Sequence, residues 1–269
     1  MSIATEERYV RNPKDWIVFD GKSLADFKLY CSGDKTFSAP QRNVDLITIP
    51  GRNGSLVRDK DTFANITVEY SCWIPSNFRG NVEGLRNYLL SKAGYKRLED
   101  TYDPDTFRLA VFQGPLDVSS YYKSTFGSFT LQFQARPERF LKSGETAIVF
   151  DSTHKEITNP TLFESKPLIH ISNMNLLPLR ILNETTEQSI TISDTISNND
   201  SVDEIYIDTE SLNAYGYDYN LNIVNCNDMI VNVSDKEKWF TLSPGKSEVS
   251  LVSLETINGF ELIPRWWIL

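Results

Sequence analysis

The 269-residue chain holds only two histidines, His154 and His170, and three cysteines, Cys31, Cys72 and Cys226. Scarce histidine narrows the room for acid–base chemistry. His170 lies in Leu168-Ile169-His170-Ile171, where a strand period sets it opposite Ile169 and Ile171. The sequence indicates no positioned carboxylate or nucleophile beside it, so it reads as a sheet-surface histidine rather than a general base. His154, in Asp151-Ser152-Thr153-His154-Lys155, reads as an exposed loop residue. No GxSxG elbow, HExxH pair or GxxxxGK[ST] loop occurs, and Gly51-Arg52-Asn53-Gly54-Ser55 lacks the lysine and following helix of a phosphate loop. An odd, widely spaced cysteine set supplies neither a disulfide framework nor the paired spacing of a zinc site. Cys72, inside an alternating apolar run, reads as a small buried hydrophobe in a protein kept reduced. No enzyme, cofactor or metal centre is expected.

Long hydrophobic runs are missing as well. Nothing approaches the ~18 apolar residues of a membrane-spanning helix, so no membrane insertion is expected. The opening MSIATEERYVRNPKDW has no apolar core, which argues against the general secretory route. Glycine (13) and proline (12) are too few for a collagenous or low-complexity chain. Positive charge is scarce in the second half. Residues 1–140 carry 19 Lys/Arg and 17 Asp/Glu, a formal +2; the remainder carries 8 and 19, a formal −11. Neither half supplies the basic stripe that nucleic-acid binding requires, and the asymmetry suggests two domains.

What is present is the two-residue period of strands. Ile66, Val68, Tyr70, Cys72 and Ile74 share one face, with Thr67, Glu69 and Ser71 on the other. Phe129, Leu131, Phe133 and Ala135 repeat the pattern, and Asp20-Gly21, Asp103-Pro104-Asp105 and Phe126-Gly127-Ser128 read as turns between such runs. One segment differs: Val82, Leu85, Tyr88, Leu89 and Ala93 recur at helical spacing over residues 81–94. Asn81 suits the N-cap, Glu83 the first turn, Lys92 the last and Gly94 the C-terminal stop. Gly84, costly in a helix, suggests close packing on a sheet.

After residue 140 the helical signal vanishes. Strands are expected at 166–172, 178–183, 188–194, 204–209, 217–224, 229–234, 248–254 and 259–263. Polar turns such as Ser197-Asn198-Asn199-Asp200 and Ser243-Pro244-Gly245-Lys246 separate them. The expected class is mainly β. Residues 1–145 form a β-sandwich or barrel with one α-helix, and residues 146–269 an antiparallel β-sandwich. The boundary falls where Arg136-Pro137-Glu138-Arg139 and Lys142-Ser143-Gly144 interrupt the pattern.

Other clusters carry less. Asp194, Asp200, Asp203, Glu204 and Asp208 lack the alternation and central glycine of a calcium loop and read as a solvated acidic face. Paired carboxylates of a glycosidase cannot be established across strands by spacing. Asn-x-Ser/Thr at Asn53, Asn65, Asn183, Asn199 and Asn232 are chance matches in a chain that is not secreted. Ile47 to Pro50 forms a strand end, and Gly51 and Gly54 permit the positive φ of a turn with Arg52 at its tip. This turn is read either as an ordinary hairpin or as a subunit contact. Pro264-Arg265-Trp266-Trp267 puts one indole toward the core and one toward the outer face or a partner.

Three motifs, taken in order, carry a resemblance. The first is Trp16-Ile17-Val18-Phe19-Asp20-Gly21-Lys22-Ser23-Leu24-Ala25-Asp26-Phe27, followed by Ile47-Thr48-Ile49-Pro50-Gly51-Arg52-Asn53-Gly54-Ser55-Leu56. The second is Phe129 to Phe140, FTLQFQARPERF. The third comprises Thr158-Asn159-Pro160-Thr161 and Ser165-Lys166-Pro167-Leu168-Ile169, with Ile263-Pro264-Arg265-Trp266-Trp267-Ile268-Leu269 at the end. The ordered set resembles the distal tail protein (Dit) family of long-tailed, non-contractile bacteriophages (siphoviruses).

The resemblance implies a homohexameric ring at the tail tip of the virion, made in the host cytoplasm. N-terminal domains would form the channel, placing Pro50, Gly51, Arg52, Asn53 and Gly54 in the ring-forming half, and galectin-like C-terminal sandwiches would point outward. Implied partners are the tail-tube protein above, the tail-associated lysin or tail fibre below, and receptor-binding proteins in some phages. The compact second half leaves no room for a long arm insertion. A rival reading is a carbohydrate-binding adhesion module contacting cell-wall glycans through Tyr215, Tyr217 and Tyr219, or Trp266 and Trp267. A third, a cell-wall hydrolase, has no catalytic constellation behind it.

Overall fold

The computed structural model describes residues 17–31, 36–122, 125–194, 202–218, 220–235, 238–253 and 258–269. The opening stretch through Trp16, the Ser197–Asp200 turn and Tyr219 lie outside these residues. The chain is mainly β, with one α-helix among the described residues, and divides into two compact units. The first ends at Arg139 and includes Leu269; the second runs Phe140–Ile268.

In chain order the first unit contains β1 (Ile17–Phe19), β2 (Lys22–Ser23), β3 (Tyr30–Cys31), β4 (Arg42–Thr48), β5 (Ser55–Phe63) and β6 (Ile66–Ile74). Helix α1 (Phe78–Leu90) follows, then β7 (Lys96–Asp100), β8 (Thr106–Val111), β9 (Ser119–Tyr121) and β10 (Phe126–Leu141), whose last two residues fall in the second unit. The sheet runs β2-β1-β7-β8-β10-β6-β3, with β9 also on β10. Its ends at β2 and β3 stay apart, so no barrel closes. β6 and β10 pair antiparallel from Ile74 opposite Gly127 to Ile66 opposite Ala135. β6 alternates strictly between buried and exposed, and β10 does so from Phe126 to Phe133, as the period-two pattern predicts. Phe78, Val82, Leu85 and Leu89 of α1 join the buried strand residues in one apolar core.

Several local expectations are corrected. Helix α1 starts at Phe78 because Asn77, in the left-handed region (φ 44), breaks the chain direction there. Asn81 is inside the helix, its Nδ2 donating to the Ser76 carbonyl at 2.9 Å. The helix ends at Leu90, before Lys92 and Gly94, and Lys92 pairs instead with Asp20 at 2.7 Å. A Cβ on Gly84 would lie 3.3 Å from the Phe27 ring, so this glycine admits a side chain of the short 3-10 turn Leu24–Phe27 rather than a sheet. Gly127 is no turn: it sits within β10, where a Cβ would meet the Ser119 carbonyl and the Phe78 ring at 2.2 and 2.5 Å. Nor does Pro137 interrupt β10; it lies beyond Ala135, the last residue paired to β6, so its missing N–H removes nothing from that ladder. The Asp20-Gly21 turn is as expected, both residues having positive φ between Phe19 and its partner Lys22. Cys72 is buried as expected, but Cys31, 41 residues earlier, lies beside it with sulfurs 3.4 Å apart.

The second unit contains β11 (Ile148–Val149), β12 (His154–Asn159), β13 (Leu168–Ile171), β14 (Leu179–Asn183), β15 (Gln188–Ile192) and β16 (Glu204–Asp208). β17 (Asn213–Tyr217), β18 (Ile223–Asn225), β19 (Ile230–Val233), β20 (Gly245–Val252), β21 (Phe260–Ile263) and β22 (Trp267–Ile268) complete it. One sheet runs β11-β21-β13-β16-β17-β18 and the other β12-β20-β14-β15-β19, all antiparallel. Their inner residues, among them Ile169, Ile181, Ile190, Ile207, Val249 and Phe260, form a second apolar core. The single strand expected over 217–224 is two, because the Asp218 carboxylate accepts the Asn220 and Asn222 N–H groups at 2.8 Å each and turns the chain. His154 opens β12 rather than sitting in a loop, its exposed ring bonded to Ser250 Oγ at 3.0 Å.

Candidate functional site

Strands β4 and β5 form a two-stranded sheet of their own. Leu46 opposes Val57 on one face, and Ile47 opposes Leu56 on the other. All four side chains are exposed, Leu46 to 66% and Val57 to 60%. Polar clamps hold the ribbon toward its base. Arg42 reaches Asp59 at 2.5 Å and Asp61 at 3.2 Å, while Lys60 reaches Asp45 at 2.7 Å. The Asp61 backbone N–H and then the Arg42 guanidinium hold the Asp59 carboxyl below its usual range. At the tip, Pro50, Gly51, Arg52, Asn53 and Gly54 are all exposed. Gly51 (φ 78) and Gly54 (φ 81) take the left-handed turn positions, and Arg52 N–H donates to the Ile49 carbonyl at 3.2 Å. A two-stranded ribbon with apolar pairs on both faces is marginal in water unless something covers it. Reading the sequence located the turn but not the nine-residue β5 or its exposure; charges alternating with apolar residues at Val44-Asp45-Leu46 and Val57-Arg58 were the available signal.

In the second unit, Pro264-Arg265-Trp266-Trp267 is built inward. Arg265 adopts φ 55, and its N–H donates to the Gly144 carbonyl at 2.9 Å. Trp266 is 5% exposed and joins the second core. Trp267 stacks on Phe163 with ring centroids 4.3 Å apart, its Nε1 donating to the Glu164 carbonyl at 2.9 Å. Arg265 Nη1 donates to Asp208 Oδ1 at 2.7 Å. Burial raises the Asp208 carboxyl, but Arg265 and the N–H groups of Glu210 and Ser211 outweigh it and the pKa falls below 3.8. The pair therefore contributes fully above the unfolded carboxylate pKa, and its contribution is lost as pH falls through the folded value. Asp208→Asn is expected to cost about 1–2 kcal/mol at neutral pH, between exposed and buried pairs. In thermal melts the gap from the native chain should shrink below about pH 4; a gap independent of pH would contradict the assignment.

Tyr215 and Tyr217 share the outer face of the six-stranded sheet. Tyr215 stacks on Tyr206 at 5.5 Å, and Tyr206 stacks on His170 at 4.4 Å and 7°. Both faces of the Tyr206 ring are thus taken by neighbouring rings, and Tyr217 meets Tyr206 and Tyr215 edge to face at 5.9 and 6.2 Å. His170 also has the carboxylates that its sequence context did not reveal. Glu204 Oε2 lies 2.9 Å from Nε2 and Glu261 Oε2 3.5 Å from Nδ1, brought from β16 and β21 by strand register. Both ring nitrogens are engaged, as in a structural tie across three strands.

A cleft of about 240 Å³ in the first unit is lined by Tyr70, Asp100, Asp103, Arg108 and Arg139, among others. Its polar groups meet one another or the backbone. Tyr70 donates to Asp100 at 2.6 Å, Arg139 to Asp103 at 2.7 Å, and Arg108 to the Pro137 carbonyl at 3.0 Å. Burial, then the charge of Arg139, pushes Arg108 down to about 10. Among the described residues no cluster of three or more His, Cys, Asp or Glu is placed to hold a metal ion, and no helix is long and apolar enough to cross a membrane.

No family model and no curated protein matches the chain. Solved structures do. The SPP1 Dit (gp 19.1) protein, described as a paradigm of the hub adsorption apparatus in phages infecting Gram-positive bacteria, superposes with a TM-score of 0.66 at 13% identity, covering 94% of this chain and 99% of that one. A chain of the phage P2 baseplate, activated with Ca, gives 0.55 at 11% identity over 92% and 96% of the two chains. The same baseplate with Sr gives 0.52 at 13% identity, over 89% and 91%. Nearly end to end, through both units, the chain has the fold of the Dit hub protein of SPP1.

Proposed function

We propose that this protein is a non-enzymatic structural component of a phage virion, a ring-forming hub at the tail tip. It would join the tail tube to the tail-associated lysin or fibre and to other baseplate proteins. The observation that carries this reading is the fold likeness to SPP1 Dit over 94% of the chain. The β4–β5 hairpin supports self-assembly, since its uncovered apolar pairs need a partner surface. A cyclic homo-oligomer needs two different complementary patches per subunit, and the near-neutral first half, with 19 positive and 17 negative groups, suits such contacts. The six subunits are carried over from the resemblance, as is the outward position of the acidic second unit.

Light scattering and negative-stain imaging of the purified chain test the reading. Rings with a central hole are expected, alone or with tail-tube and lysin partners. Ile47→Lys with Leu56→Glu keeps an attractive cross-strand pair in the hairpin while removing its apolar face. These variants should melt within a few degrees of the native chain but remain monomeric. A native chain that stays monomeric at high concentration and ignores both partners would sink the proposal.

A further inference from the structure

Cys31 and Cys72 are 41 residues apart in the chain and side by side in the first unit, their sulfurs in an S–H···S contact of 3.4 Å. Strand register brings them together. β3 pairs antiparallel with β6, and Cys31 stands directly opposite Cys72. Directly opposed residues of such a pair have Cα atoms about 4.5 or 5.5 Å apart, and a disulfide spans about 4.4–6.8 Å. Both side chains face the first core, 7% and 3% exposed. Burial, then the Cys31 thiol beside it, pushes the Cys72 thiol well above its ordinary pKa. Little thiolate is therefore present for outside reagents, and the partner within reach is the other cysteine. Access comes at the sheet edge. β3 ends the sheet and meets β6 over Tyr30 and Cys31 alone, with the Tyr30 ring stacked on Trp73 at 4.9 Å. So short an edge strand opens more readily than β6 and β10, which pair from Ile66 to Ile74.

We propose that Cys31 and Cys72 are a modification site, closing to a disulfide when the chain passes from a reducing compartment to an oxidising one. That timing rests on the virion reading, in which the chain is made in a host cell and leaves it inside a particle. Glutathione and thioredoxin keep thiols reduced within a cell, and neither pool follows the particle out. Each thiol gives up one proton and one electron and the S–S bond forms. Dissolved dioxygen takes up the two electrons and two protons and becomes hydrogen peroxide. The bond has a definite structural consequence. Between the two cysteines the chain runs out along β4, returns along β5 and enters β6. The hairpin therefore lies wholly within the closed loop, and the disulfide fastens the strand before it to the strand after it. Cys226 belongs to the second core and serves as an internal control.

The full chain is purified under dithiothreitol, freed of it, and held in air with trace copper as catalyst. Thiols are then alkylated in denaturant and counted by intact mass. Three alkylated cysteines are expected before aeration and one after it, with the Cys31 and Cys72 peptides linked in a protease digest. The melting transition of the first unit should rise by about 10 °C, because a loop closed across 41 residues restricts the unfolded chain. Dithiothreitol should return it to the reduced value. In Cys31→Ala, air should close no bond and dithiothreitol should not move the melt. Should that variant fail to fold, Cys226→Ala replaces it, and both its remaining thiols must vanish in air. Three free thiols after prolonged aeration, an interchain bond in place of the linked pair, or a disulfide that leaves the melt unmoved would overturn the proposal. Released particles separate this proposal from the reading beneath it. The linked pair is expected there. A chain present in particles with both thiols free overturns the disulfide and leaves the hub reading intact, whereas particles lacking the chain overturn the hub reading.

Discussion

Phe133→Ala is expected to lower the unfolding free energy of the first unit by about 3–5 kcal/mol, the range for deleting a buried aromatic ring. Phe133 is fully buried near the middle of β10, which lies between β8 and β6. Its ring meets Phe19 at 5.0 Å, Phe112 at 5.8 Å and Tyr70 at 6.2 Å. Truncation loses the transfer of the ring from water and also the contacts of three aromatic neighbours that cannot collapse together. Tyr70 is further constrained by its bond to Asp100. Amide exchange of β6 and β10, with denaturant melts of the whole chain, measures the effect. A loss under about 1 kcal/mol would show the site to be far more plastic than native packing density allows.

In the second unit, Gly216→Ala should cost about 3 kcal/mol, the upper part of the overpacking range. Gly216 separates Tyr215 from Tyr217 on β17, and it points inward while they point out. A Cβ there would lie 2.3 Å from Val202 Cγ1, 2.6 Å from the Glu204 carbonyl and 3.3 Å from Cys226 Sγ. A side-chain rotation relieves the Val202 contact, but the Glu204 carbonyl belongs to the strand paired with β17, where Ile205 opposes Gly216. Relief therefore requires β16 and β17 to separate. Loss of exchange protection across these two strands, measured by amide exchange, is the expected signature. Near-native protection in the alanine variant would contradict the packing argument.

The Tyr-Gly-Tyr run shows how far the sequence could be read. Period two put Tyr215 and Tyr217 on one face, and the structure does the same. That Tyr215 would stack on Tyr206, and Tyr206 on His170, was not legible, because these rings meet only through register, from positions 45 and 9 residues before Tyr215. The same limit governed His170: Glu204 and Glu261 are remote in sequence and become neighbours only in the sheet. Gly127 was misread as a turn because glycine has two uses. Local sequence signals the first, positive φ, as at Gly21. The second, room for a neighbour, depends on where Ser119 and Phe78 end up.

Alternation and turn chemistry, which act between near neighbours, were enough to determine the β-rich class, the buried faces of β6 and β10, the single helix and the location of the hairpin tip. The helix start, the Cys31–Cys72 contact, which of the two terminal indoles docks inward and the uncovered length of the β4–β5 ribbon were decided only by the tertiary structure. Each depends on strand register and on what packs against an element from far along the chain, and no local period encodes that.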